Sequence, residues 1–75
     1  MTSGDQITSI PDSTYNLVSV AYHALQGAEV CAVYANDAQE EGDQELAQFF
    51  QEVQQAERRC AERAMQLLGK RLRAG

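Results

Sequence analysis

An all-α fold, an antiparallel two-helix hairpin completed by a second copy into a four-helix bundle, is the class that this 75-residue sequence predicts. Three observations predict it. From Asp12 to Glu41 there is no proline and Gly27 is the only glycine, so one long helix is uninterrupted. A Gly42–Asp43 pair then joins a natural helix stop to a natural helix cap. A second helical run follows, to Leu68 or Arg71, where Gly69 and a basic last turn suit a C-terminus.

The elements follow in order. Residues 1–11 lack helical periodicity and read as a flexible N-terminal arm. The hairpin occupies residues 12–75, with helices over about 13–41 and 43–71. Asp12 or Ser13 is placed to cap the first helix, since either side-chain oxygen can accept from the unpaired amides of a first turn. Asp43 caps the second, with Glu45 in its first turn, where the helix dipole favours an acid. No strand pattern and no short repeat occurs.

Composition narrows the function classes. With 11 acidic and 6 basic residues the net charge is −5, which argues against a nucleic-acid partner. The longest weakly charged stretch, Tyr15 to Asn36, contains Asn16, His23, Gln26 and Glu29 and is too polar for a membrane span. Met1 to Asp12 has neither a basic start nor an apolar run, so a cytoplasmic protein is expected. Two cysteines make at most one bridge, and Cys31 and Cys60 differ in level by roughly 7 Å of helical rise, which disfavours even that. Both read as small buried hydrophobes.

Charge divides along the chain. The first 57 residues hold ten acids and no Lys or Arg, and all six bases follow. In a hairpin the acids crowd the turn and the bases gather at the open end. The plain meaning is a solvated, dipole-compatible surface; the sharper one is head-to-tail packing of two hairpins, acidic end on basic end.

Helical-wheel sorting gives the first helix two apolar stripes. Leu17, Ala21, Ala24, Ala28, Cys31 and Ala35 form one; Val18, Tyr22, Leu25, Ala32 and Val33 form the other. The second helix has one broad arc that runs from Leu46, Phe49 and Phe50 through Val53 to Cys60, Ala61, Ala64, Leu67 and Leu68. A lone hairpin supplies one neighbour for two stripes, so a homo-oligomer, a dimer or larger, is expected.

Two carboxylates break the sorting. Glu57 sits at the centre of the second helix's arc, and Glu29 lies between Leu25 and Val33 in the second stripe. A turn at Gly42–Asp43 sets them level at mid-height, facing each other in an apolar core. Burying such a pair is costly, so it shares a proton, is satisfied by Gln26 and tyrosine hydroxyls, or holds a cation between its members. Carboxylate oxygens suit hard metals, and four-helix cores are where such sites are built.

Glu29 on one helix, followed by Glu57-Arg58-Arg59-Cys60 on its antiparallel neighbour, resembles half of a ferritin-like di-iron protein. Rubrerythrins and the short encapsulated ferritins in that superfamily place a Glu on one helix and Glu-x-x-His on the next. The short encapsulated ferritins are also single hairpins that complete the bundle by dimerising. The resemblance spans residues 14 to 70 and implies a metal site of Glu29, Glu57 and Cys60, iron as the metal, and ferrous oxidation if the protein is active. Cys60 stands where the family has histidine, which removes the nitrogen ligand. His23 lies ~120° around the helix from Glu29 and reads as a surface side chain.

The alternative from a different class is a non-catalytic oligomerisation or adaptor module that keeps a relic carboxylate site. No Ser-His-Asp set, phosphate loop or paired CxxC supports a hydrolase, kinase or zinc-ribbon role.

Overall fold

The computed structural model describes residues 12–74, which form two helices, α1 (Asp12–Glu40) and α2 (Gln44–Ala74), packed as an antiparallel hairpin. The arm expected over residues 1–11 lies outside the described residues.

The turn follows from its residues. Gly42 adopts φ of +80°, a left-handed conformation that costs glycine little and other residues more. With it there, the Gly42 amide donates to the Gln39 carbonyl and the Asp43 amide to the Ala38 carbonyl, which satisfies two of the carbonyls at the end of α1. The Asp43 carboxylate accepts from the Leu46 amide at 3.0 Å, and the Asp43 carbonyl takes the first α2 bond from Ala47. One residue pair therefore both stops α1 and starts α2.

One expected boundary differs from the structure. Gly69 does not stop α2, which continues to Ala74. A glycine inside a helix costs only about 1 kcal/mol, and the residues after it, Lys70 to Ala74, are good helix formers with no breaker among them. Asp12 stands within the first turn of α1, where its charge suits the dipole.

The seam between the helices is lined by small side chains. Ala21, Ala24, Ala28, Cys31, Ala35 and Ala38 of α1 meet Ala47, Ala61 and Ala64 of α2, and all nine are buried. The first of the two stripes read from the sequence is thus the one α2 covers. No large side chain among the described residues is fully buried. The body measures 50 × 23 × 13 Å, one helix thick in its shortest direction. Both broad faces of this layer are surface.

The charge division is less polar than the sequence reading held. Lys70, Arg71 and Arg73 lie at the open end of α2, but Arg58 and Arg59 sit near its middle. The acids Asp37, Glu40, Glu41, Asp43 and Glu45 do flank the turn.

Candidate metal centre and association face

Gly27 of α1 and Glu57 of α2 lie level at mid-height. A Cβ built on Gly27 would stand 2.8 Å from Glu57 Oε2 and 3.1 Å from its Cδ, so the carboxylate occupies the space left by the missing side chain. Glu57 is half-buried on this account.

Glu29 follows Gly27 by two residues, which turns it about 200° around the helix. It is exposed, in a groove on the opposite broad face lined also by Leu25, Ala32, Gln54, Arg58 and Met65. The expected face-to-face pair of Glu29 and Glu57 is therefore not formed within one hairpin. The height was read correctly; the direction was not, because the wheel placed Glu29 in an apolar stripe that the structure leaves uncovered. Neither residue belongs to a buried polar core, and none exists among the described residues. Gln26 and the Tyr22 hydroxyl do not reach the carboxylates: Gln26 Nε2 donates to Tyr22 Oη at 3.2 Å along their own helix.

Cys60 is exposed, whereas Cys31 is buried, and both are free. The reading of both cysteines as buried thus holds for Cys31 only. Cys60 lies one turn beyond Glu57 on the same side of α2. No three His, Cys, Asp or Glu side chains converge on one point among the described residues. A metal centre of Glu29, Glu57 and Cys60 is not assembled by a single hairpin.

The Glu57 side carries a second, longer pattern. Along α2, Leu46, Phe50, Val53 and Glu57 are spaced alternately by four and three residues. Cys60, Ala64, Leu67 and Arg71 continue the same spacing, which is that of a coiled-coil seam. Val20, Gly27 and Tyr34 run beside it on α1 at intervals of seven. Tyr34 packs edge-on to Phe50 at 5.4 Å between ring centroids, and Phe49 stands beside Phe50 at 5.7 Å. Much of this surface is open to water: Val20 is 46% exposed, Tyr34 47% and Phe49 54%.

His23, expected from the sequence to be a surface side chain, is exposed. His23 falls between Val20 and Gly27 in the same four-and-three spacing, which puts it on the Glu57 side of α1. Its Nδ1 lies 2.9 Å from the Ser19 carbonyl oxygen, which can only accept, so Nδ1 is the donor of that hydrogen bond. The four-and-three spacing is the signal of its placement.

The opposite face is of mixed character. Val18, Tyr22, Leu25 and Val33 of α1 are exposed there, and α2 sets Met65 beside the polar Gln51, Gln54, Arg58 and Glu62. No helix among the described residues is long and apolar enough to cross a membrane. No family model, curated protein or solved structure matches the chain.

Proposed function

We propose that the chain is a self-associating helical protein of ferritin-like architecture, in which two hairpins close one four-helix bundle. The observation that supports this most directly is the four-and-three apolar seam on the Glu57 side, left half in water by a hairpin whose own core is alanine and cysteine. Small side chains let the helices approach closely but contribute little apolar area, so a body this small gains stability by covering that seam. Homo-oligomeric assembly is the function this geometry serves best. Thermal melts followed by circular dichroism test it: the midpoint rises with protein concentration if folding and association are coupled, and stays fixed if the hairpin folds alone.

A second reading, metal binding, draws support from the position of Glu57. A second copy on that side would bring two Glu57 carboxylates to one mid-height level, each with a Cys60 thiol one turn away, and a divalent cation there would offset the repulsion between the acids. Iron remains the metal that the ferritin-like resemblance implies. Glu29 does not fit this set, because it faces away from it, and the di-iron arrangement of Glu29 with Glu57 is set aside. Any cation would rest on Glu57, with Cys60 and His23 as the nearest further donors by position.

A further inference from the structure

The seam on the Glu57 side has a charged group at each end. At the turn, Asp37 and Glu41 line a groove with Tyr34, Leu46 and Phe50. At the open end, Arg71 lines a groove with Val20 and Leu67. On the other broad face Glu29, Arg58 and Glu62, charges of both signs, lie together in the central groove. We propose that a second copy of the chain covers the Glu57 side in antiparallel orientation, so that Arg71 of each copy lies against Asp37 and Glu41 of the other and the two Glu57 residues meet near the two-fold axis. This proposal rests on the self-association reading and adds to it the face, the direction and the register.

Three arguments fix the choice. Charge comes first: a parallel pairing stacks two acidic turns on one another, whereas the antiparallel pairing sets each acidic turn on a basic end, and like charges face to face weaken association. Size comes second. With the axis near Glu57, Phe50 lies opposite the partner's Ala64, and Val20 opposite the partner's Tyr34. Large side chains then meet small ones along both helices, as interdigitating cores require. Space comes third, because Gly27 leaves room at mid-height for a carboxylate that would otherwise block close approach.

The test is made on the full chain. Glu57→Cys, oxidised under native conditions, should form a covalent dimer on a non-reducing gel, through its own copy or through the partner's Cys60 one turn away. Glu29→Cys should not. Arg71→Glu should weaken the dimer by about tenfold, the effect of losing one well-placed charge pair at each end. Adding Asp37→Arg and Glu41→Arg to Arg71→Glu should restore it. A dimer in which Glu57→Cys stays unlinked, or in which Glu29→Cys links instead, overturns the proposed face and leaves self-association intact. A dimer indifferent to Arg71→Glu overturns the antiparallel direction. A folded monomer in the parent protein overturns the self-association reading itself, and the proposal with it.

Discussion

The carboxylate of Glu57 rests against Gly27 of the neighbouring helix, 2.8 Å from where any other residue would carry its Cβ. Gly27 stands in the middle of a 29-residue helix, where alanine would be favoured by about 1 kcal/mol. The contact makes Gly27 a probe of how firmly Glu57 is held.

Gly27→Ala should stabilise the protein by about 0.5–1 kcal/mol in denaturant unfolding. The obstructing atoms belong to the far end of a flexible side chain, which can swing aside and leave the helix-propensity gain uncancelled. A loss of stability would show that the carboxylate is pinned where it lies.

Ala28→Leu and Ala61→Leu should each destabilise by about 1–3 kcal/mol, read from the same unfolding curves. Both alanines are in the seam, Ala61 with no exposure at all, and a larger side chain must push α1 and α2 apart. An unchanged midpoint would mean that the helices do not approach as closely as the alanine seam requires.

At the turn, Gly42→Ala should cost about 1 kcal/mol, because φ of +80° strains a residue with a Cβ. Asp43→Ala should cost a similar amount, about 1 kcal/mol, by leaving the Leu46 amide without its acceptor. The double variant reports whether the stop of α1 and the start of α2 act independently. Costs that add place the two effects on separate backbone groups.

Ferrous iron, titrated into the parent, Glu57→Gln and Glu29→Gln proteins, distinguishes the carboxylates. On the metal reading the parent's melting midpoint rises with iron, Glu57→Gln loses that rise, and Glu29→Gln keeps it, because Glu29 faces the other way. Cys60→His should enlarge the rise by supplying an imidazole nitrogen. Equal, iron-independent midpoints in all four proteins would end the metal reading without touching the assembly reading.

Much of the hairpin was legible in the sequence for identifiable reasons. Gly42 and Asp43 act through local backbone chemistry, and the Ala21-to-Ala35 stripe acts through a period that any wheel displays, so both appear where the sequence puts them. Gly69 misled because a single glycine is a weak signal when good helix formers follow it. The carboxylate site was half legible. Level is set by the turn, so the heights of Glu29 and Glu57 could be read from residue numbers. Direction is set by which of two apolar stripes the partner helix takes, and composition decided that in favour of the smaller residues. Close packing selects alanines for the seam, which sends the bulkier stripe, and Glu29 with it, to the surface. His23 is exposed, as its polar neighbours on the wheel imply, and its spacing from Val20 and Gly27 marks the face it shares with Glu57.

Self-association through the Glu57 side is the claim from which the other readings follow, and sedimentation equilibrium at micromolar concentration tests it most directly. The account predicts helical protein at twice the 8.3 kDa chain mass or more, falling toward the chain mass when Phe50 and Leu67 in the seam are replaced by serine. A fully helical, cooperatively folded species at 8.3 kDa would contradict it.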